Sequence, residues 1–387
     1  MSTATLDVEL IGLDGALCVA PHAEAHVVLR VLQQPVGVVW MSPAAGVIEP
    51  AQLWAIIRDD EELHRRVLER VAFAQLAPPE HEPHPSATWS VAVCTRDRPQ
   101  RLARTLASLA ELRGNPASVV VVDNASSTDE TRRVAARFDV EYVEEPRPGL
   151  NHARRRAATS TTSDVLVYTD DDVLVEPDWG INLVREFTGP RVGAATGLVL
   201  PHELETAAQR AFELRGAHSR GFRRRDVDFR TRPPRLAGGL GAGASLAVRR
   251  ELVEQLGLFD AALDMGSPAR TGGDTYAIYL VMRSGHRVVY TPAAVASHVH
   301  RRTMAELEAM VANYSTGGYT WMLHALISCG DLSVVKTGLD WFRLHHLGRN
   351  WRARPGHPAP PPRRVALAEL RGIPRVPSAY LRSRRST

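Results

Sequence analysis

Three consecutive aspartates, Asp170, Asp171 and Asp172, interrupt an apolar stretch in VLVYTDDDVLV. Ionised carboxylates in apolar surroundings are costly unless something shares their charge. In an extended segment alternate side chains point the same way, so Asp170 and Asp172 converge while Asp171 points elsewhere. Two carboxylates with room for phosphate oxygens suit Mg²⁺ or Mn²⁺, which would neutralise charge on a leaving diphosphate. A solvated acidic turn is the alternative, but it fits poorly between two apolar runs. The sequence therefore favours a metal site.

Polar residues also end two other strand-like runs. Thr95 and Arg98 follow WSVAVC, and Asp123 and Asn124 follow VVVV. Asp123 could cap the next helix, but the Ser and Thr residues after it can provide that cap. Asp123 and Asn124 are then free to hydrogen-bond a base or a ribose. Thr95 and Arg98 are expected near a negatively charged group.

Asp274 stands at the head of a helical stretch, directly after Gly272 and Gly273. A helix cap is the simple interpretation, but the glycines allow a close backbone approach that a cap does not need. A carboxylate there can act as a general base towards a hydroxyl. His298 and His300 are two residues apart on a strand and face one side. At least one is expected to join the aspartates as a neutral imidazole ligand.

The elements that must position these residues alternate between strand and helix from Trp89 onwards. Strands separated by helices of ten to fifteen residues predict an α/β fold with a parallel sheet covered on both faces. In such sheets ligands bind beyond the carboxyl ends of the strands. Since the polar residues described above sit at strand ends, the pattern predicts that they form one site.

The flanking regions differ in composition from this alternating part. The N-terminal segment predicts two strands around a Gln-Gln-Pro turn and one amphipathic helix beginning at Pro50. The end of the chain, rich in Pro and Arg, predicts one short helix with loose ends. The predicted organisation is a small α+β module (1–75), a Pro- and His-rich linker (76–88), a catalytic domain (89–326, with halves 89–172 and 173–326) and a helical Arg/Pro-rich tail (327–387).

Composition bounds the class of protein. The chain has 387 residues, 44% of them hydrophobic, and contains no run of eighteen apolar residues. Its first residues lack a basic start followed by an apolar core, so a signal peptide is not expected. Cys18, Cys94 and Cys329 are widely spaced and form neither a disulfide framework nor a zinc pattern. These features predict a cytoplasmic location.

The formal net charge is +4, and the basic side chains are almost all arginines. This bias is typical of a GC-rich bacterial genome, so nucleic acid is not the expected partner. The exception is the tail, where eleven arginines after Trp341 face a single acid, Glu369. Aromatic residues among them are compatible with weak peripheral membrane contact, although packing of these aromatics on the catalytic domain is favoured. A homodimer is left open.

Nine motifs in order resemble those of the family 2 glycosyltransferases, from about Trp89 to Leu326. They are VAVCTRDRP, VVVDNASSTDET, GLNHARRRAA, VYTDDDV, GLVLPHELETAAQRAFE, GAGASLAVRR, LGLFDAAL, GGD and HVHRR. The resemblance implies a GT-A fold: a Rossmann-like mixed sheet with helices on both faces. It also implies a nucleoside-diphosphate sugar donor, with UDP the expected nucleotide, Mn²⁺ or Mg²⁺, and an inverting displacement by an acceptor hydroxyl. A secondary metabolite, a peptide or an envelope glycan is the expected acceptor, on analogy alone.

The same resemblance assigns roles to individual residues. Asp274 matches the catalytic base. The implied metal ligands are Asp170, Asp172 and either His298 or His300. The implied donor-binding residues are Thr95, Arg98, Asp123, Asn124, Arg154 and Asp171.

Two positions depart from the family pattern. Gly273 stands where the family often has Glu, so acceptor binding is expected to differ. Arg155 replaces Asn in the ARN motif, which puts that donor contact in doubt. Neither departure removes Asp274 or the paired aspartates, so an active enzyme is expected.

Two other functions compete with a glycosyltransferase. A nucleotidyltransferase has a similar sheet and metal acids, but it usually has a Gly-rich phosphate loop after its first strand, and CTRDRPQ contains no Gly. A non-catalytic scaffold on a degenerate site is disfavoured because all the carboxylates are present.

Overall fold

The computed structural model describes residues 3–20, 24–43, 45–76, 87–230, 234–353 and 356–385. Most of the predicted linker, residues 77–86, therefore lies outside the described residues. The N-terminal region contains a three-stranded sheet in the order β1-β3-β4, with β1 parallel and β4 antiparallel to β3, and a short β2-β5 ladder. Its elements are β1 (Thr3–Glu9), β2 (Leu17–Cys18), β3 (Glu24–Val31), β4 (Gln34–Met41), β5 (Val47–Ile48), α1 (Pro50–Asp59) and α2 (Glu61–Leu76).

The N-terminal region differs from its prediction in two ways. The β3–β4 hairpin is confirmed, but β1 was not predicted. The single predicted helix is two helices, because Asp60 adopts an extended conformation between them. The Asp60 carboxylate accepts a hydrogen bond from the backbone N–H of Leu63 at 2.9 Å, so this side chain caps the first turn of α2.

The large sheet has nine strands, and its first half matches the predicted alternation. Strands β9, β6, β7 and β8 are neighbours in that order and all run parallel. Their ranges and those of the intervening helices are β6 (Trp89–Thr95), α3 (Pro99–Leu109), β7 (Val119–Asn124), α4 (Glu130–Ala135), β8 (Glu141–Glu145), α5 (Leu150–Thr159) and β9 (Val165–Asp170).

The second half makes the sheet mixed, as the resemblance implied. The order continues β9-β13-β11-β14-β10, with β12 also paired to β14, and β13 lies antiparallel between β9 and β11. The elements are β10 (Val173–Val175), α6 (Trp179–Val184), β11 (Val192–Pro201), α7 (Ala207–Arg215), β12 (Arg225–Val227), β13 (Leu246–Arg249), α8 (Arg250–Gln255), α9 (Gly273–Arg283) and β14 (Arg287–His298).

Alternate side chains of the sheet enter two separate cores. Leu166 and Tyr168 of β9 pack with α5 and α9 on one face, whereas Val165 and Val167 pack with α3 and α6 on the other. All four side chains are at most 1% exposed. This two-sided burial is why the strands are almost continuously apolar. The predicted α/β fold class, with helices on both faces, is confirmed.

The C-terminal region is helical and more ordered than predicted. The long α10 (Met304–Cys329) is followed by α11 (Ser333–Trp341), by a π-helical turn (Phe342–His346), and by α12 (Arg363–Gly372) and α13 (Val376–Arg385). The prediction of one short helix with loose ends is wrong, because both α12 and α13 bury apolar side chains and pack on α10. Among the described residues, no helix has both the length and the hydropathy needed to cross a membrane.

Candidate active site

The carboxyl ends of the central strands open into one cavity of about 1800 Å³. Strand β6 ends at Thr95, β7 at Asn124, β9 at Asp170 and β14 at His298. Nine of the eleven residues singled out from the sequence line this cavity: Thr95, Arg98, Asn124, Arg154, Asp170, Asp171, Asp172, Asp274 and His298. Asp123 and His300 do not line it. Most of the residues predicted from strand ends therefore lie around one cavity.

The three aspartates have different neighbours. Because β9 ends at Asp170, the next two aspartates lie in a turn, and strand alternation does not describe them. The Asp171 carboxylate accepts hydrogen bonds from Thr95 Oγ1 at 2.7 Å and from Arg98 at 3.1 Å. Asp171 thus joins the ends of β6 and β9. Asp170 keeps 32% of its side chain exposed towards the cavity.

Asp172 lies between an imidazole and a group of guanidinium ions. His298 Nε2 is 3.4 Å from its carboxylate, and Arg101 donates to it at 3.0 Å. Arg98 and Arg301 are 3.9 and 4.0 Å away. Burial alone would raise the pKa of Asp172, but His298 and these arginines hold it below its usual value. The Asp172 carboxylate is therefore ionised at neutral pH.

The two histidines have different positions. His300 is buried behind His298: its Nε2 is 2.7 Å from Glu213, and its Nδ1 is 3.1 Å from Nδ1 of His298. Both ring nitrogens of His300 are thereby used within the protein. Burial lowers the pKa of His298 to about 4, although Asp172 opposes the shift, so its imidazole is neutral at pH 7. Only His298 presents a nitrogen to the aspartates.

This chain of contacts suits a metal-binding tautomer of His298. When Nε2 of His298 carries the free lone pair, its Nδ1–H donates to His300 and the His300 Nε2–H donates to Glu213. Every hydrogen bond in the chain is then satisfied, as is usual for histidines that bind metals. Glu213 was missed by the sequence analysis, since nothing in its motif separates it from an ordinary helical glutamate.

Arg154 is a buried cation that lines the cavity. Its Nη1 donates to Asp264 at 2.7 Å, and its Nη2 lies 3.7 Å from Asp170. Burial raises the pKa of Asp170 to about 7, with Arg154 opposing the shift. Asp264 was also missed, although it directly follows the segment LGLFDAAL. Its positive φ of 75° is uncommon for a side chain with a Cβ.

Asp274 is held rigidly at the start of α9. Its carboxylate accepts hydrogen bonds from the backbone N–H groups of Gly243 and Thr275, each at 2.7 Å. The preceding Gly272 has φ of +102°, and a Cβ there would lie 2.8 Å from the carbonyl oxygen of Gly317. The prediction that these glycines permit a close approach agrees with this packing.

Asp123 and Asn124 make hydrogen bonds within the protein. The Asp123 carboxylate accepts from the hydroxyls of Ser126 and, at 2.6 Å, Tyr142. The Asn124 amide donates to the carbonyl oxygen of Arg147 at 2.7 Å, and its side-chain oxygen accepts from the Gly149 N–H at 2.8 Å. Asn124 therefore fastens the loop that leads into α5.

The donor atoms at the strand ends fit a divalent cation. Asp170 and Asp172 offer hard carboxylate oxygens and His298 offers a neutral imidazole nitrogen, a set that Mn²⁺ and Mg²⁺ accept. Another part of the cavity lining is apolar, since α10 and α11 contribute large apolar and aromatic side chains. These are Met310, Tyr314, Trp321, Met322 and Trp341.

The central region of the chain is similar to known glycosyltransferases. Residues 90–256 match the model "Glycosyl transferase family 2". The chain is 26% identical over 285 residues to a pre-mycofactocin glycosyltransferase of Mycobacterium tuberculosis, covering 72% of this chain and 57% of the relative. It is 25% identical over 311 residues to an N-acetylglucosaminyltransferase of Rhizobium leguminosarum bv. viciae, covering 78% of this chain and 70% of the relative.

A solved mannosyltransferase of Pyrobaculum calidifontis, in complex with GDP-Man and Mn²⁺, aligns with a TM-score of 0.47 and 21% identity. That alignment covers 82% of this chain and 79% of the mannosyltransferase. The chain spans little more than half the length of the mycobacterial relative. The match to the glycosyl transferase family 2 model lies within the alternating strand and helix region, over residues 90–256.

Proposed function

We propose that the protein is an inverting, divalent-metal-dependent glycosyltransferase that moves a sugar from a nucleoside-diphosphate sugar, with UDP as the nucleotide, to an acceptor hydroxyl. The observation that carries the proposal is the convergence of Asp170, Asp172, His298 and Asp274 on one cavity at the strand ends. The names of the family and of the two relatives support it. A secondary metabolite, a peptide or an envelope glycan is the proposed acceptor.

The donor binds at the strand-end part of the cavity. A divalent cation held by Asp170, Asp172 and His298 would neutralise charge on the diphosphate. Arg98 and Arg101, which lie beside Asp172, supply further positive charge for the phosphate oxygens. The proposed donor-binding set also includes Thr95, Asp123, Asn124, Arg154 and Asp171.

Asp274 is the proposed general base. The acceptor oxygen attacks the anomeric carbon from the face opposite the diphosphate, and its proton passes to the Asp274 carboxylate. A bond forms between the acceptor oxygen and the anomeric carbon as the bond to the diphosphate oxygen breaks. The two backbone N–H groups that hold the carboxylate fix its position for this transfer.

The first test is nucleotide binding. Wild-type protein is melted with UDP, GDP, dTDP or CDP, each with and without Mn²⁺, beside the variants Asp172→Asn and Asp178→Asn. Asp178 is a surface acid paired with Arg113 and serves as the matched control. At a ligand concentration of 100 Kd, binding stabilises the folded state by about 2.7 kcal/mol.

We expect one nucleotide, UDP, to raise the melting temperature only with Mn²⁺, in wild type and Asp178→Asn but not in Asp172→Asn. Equal stabilisation of Asp172→Asn would refute the metal site. If no nucleotide stabilises the wild type, a glycosyltransferase is the wrong conclusion and a non-catalytic scaffold replaces it.

A further inference from the structure

The C-terminal region carries an unusual concentration of exposed apolar side chains. Among the described residues seventeen large apolar side chains are exposed, and eight of them lie between positions 327 and 351. These eight are Ile327, Leu332, Val335, Leu339, Phe342, Leu344, Leu347 and Trp351. Contiguous apolar surface of this kind marks an interaction site, whereas single exposed residues do not.

Four of these side chains form a stripe on α11 and the turn that follows it. Leu332, Val335, Leu339 and Phe342 are spaced by three, four and three residues, which places them on one helical face. Leu332 is 76% exposed and Leu339 is 60% exposed. The stripe therefore has apolar side chains where a surface helix normally has polar ones.

The opposite face of the same segment is already packed. Val334 is 2% exposed, and the Trp341 ring lies 4.7 Å from the Tyr319 ring and 5.0 Å from the His346 ring, centroid to centroid. The inner face of α11 is thus held by these contacts, and the stripe is its outer face. The segment is fixed on α10 with its outer apolar face uncovered.

Exposed cations flank the stripe. Lys336 lies on α11 and pairs with Asp340 at 3.0 Å. Arg343, Arg349 and Arg352 are exposed, and none of the three makes an ion pair within the part of the chain that the structure describes. An apolar helical face bordered by basic side chains is complementary to the surface of an anionic membrane.

The same segment borders the cavity. Thr337, Trp341, Leu344 and Arg349 contribute to its lining. A planar partner seated on the stripe would therefore lie beside the cavity.

We propose that residues 332–352 form a docking surface for an anionic lipid bilayer. The apolar stripe enters the interface between headgroups and acyl chains, and the arginines contact lipid phosphates. The proposal concerns the outer face of residues 332–352, so it does not depend on the chemistry proposed for the cavity.

The test is flotation of the full chain with phosphatidylcholine vesicles, with and without phosphatidylglycerol. Wild type is compared with the double variant Leu339→Glu/Phe342→Glu and with Leu381→Glu, which alters an equally exposed leucine on α13. We expect binding to vesicles that contain phosphatidylglycerol, weakened by high salt, and a loss of at least tenfold in the double variant only. A second variant, Arg343→Glu/Arg352→Glu, should lose the preference for phosphatidylglycerol while its melting temperature stays that of wild type.

Three results would overturn the proposal. One is failure of the wild type to float with anionic vesicles, and another is equal binding by the Leu339→Glu/Phe342→Glu variant. The third is a stable dimer in light scattering that the double variant abolishes, because the stripe would then be an interface between two copies of the chain. Nucleotide-dependent stabilisation is measured separately, and its outcome does not bear on docking.

Discussion

Replacing Glu369 by Gln removes the negative charge at the centre of the contact between α12 and α7. The Glu369 carboxylate is fully buried and accepts hydrogen bonds from Arg215 and Asn350, with His345 at 3.1 Å. Arg215 keeps only 11% of its side chain exposed. The neutral amide of the variant would leave this guanidinium buried without its charge partner, which is among the costly changes in protein interiors.

The magnitude follows from the pKa of Glu369. Burial alone would raise it, but Arg215 and His345 outweigh burial and hold the pKa at about 2, compared with an ordinary value of 4.5. This difference corresponds to about 3 kcal/mol of stabilisation at neutral pH. Because the pKa is lower in the folded chain, the contribution is complete above about pH 4.5 and is lost as the pH falls towards 2.

The assay is urea unfolding followed by tryptophan fluorescence, with Glu308→Gln as the control. Glu308 on α10 also pairs across to α12, with Arg364 at 3.6 Å, but this ion pair is at the surface. We expect Glu369→Gln to lower the free energy of unfolding by about 3 kcal/mol and Glu308→Gln by less than about 1 kcal/mol at pH 7. The difference in the free energy of unfolding between wild type and Glu369→Gln should become smaller below pH 4.5.

The reasoning is refuted if the two variants lose the same stability at pH 7. It is equally refuted if the deficit in the free energy of unfolding of Glu369→Gln is the same at pH 3 as at pH 7, provided both proteins are folded at the lower pH. Either result would mean that the ionised carboxylate does not hold α12 against α7.

Three further predictions concern the cavity. Replacing His300 by Leu removes the hydrogen-bond acceptor of His298. The Mn²⁺ affinity, measured by electron paramagnetic resonance, should therefore fall about 10- to 100-fold. An unchanged affinity would contradict the role of this contact. Gly243→Ala places a Cβ 2.5 Å from Nη2 of Arg154, so nucleotide-dependent stabilisation should weaken while the circular dichroism of the folded chain is preserved. Asp264→Asn removes one charge of a buried ion pair and should lower the free energy of unfolding by about 3 kcal/mol. A loss under about 1 kcal/mol would show that Asp170 alone is a sufficient charge partner for Arg154.

Much of the site could be predicted because strand ends are visible in the sequence. The runs that end at Thr95, Asn124 and Asp170 are apolar on both faces of the sheet, so the first polar residue after each run marks the edge. Because the strands are parallel, their carboxyl ends lie at the same edge of the sheet. Asp274 and His298 were found in the same way, from a helix start and a strand end.

Other features depended on contacts between residues distant in sequence. Glu213 and Asp264 look like ordinary acids in the sequence, and only the packing of α7 and of the loop before α9 brings them to His300 and Arg154. The same applies to the hydrogen bond that the Tyr142 hydroxyl donates to Asp123. A hydrogen-bond partner distant along the chain leaves no local pattern.

The sequence by itself determined the α/β fold class and predicted that most of the proposed site residues meet at one edge of the sheet, because hydrophobic periodicity is a local property of the chain. Tertiary structure decided which histidine faces the aspartates, how the arginines distribute among them, and that the predicted helical tail packs on α10 with an uncovered apolar face. These outcomes depend on burial and charge pairing across elements, since a carboxylate or an imidazole acquires its role from the groups that surround it in the folded chain.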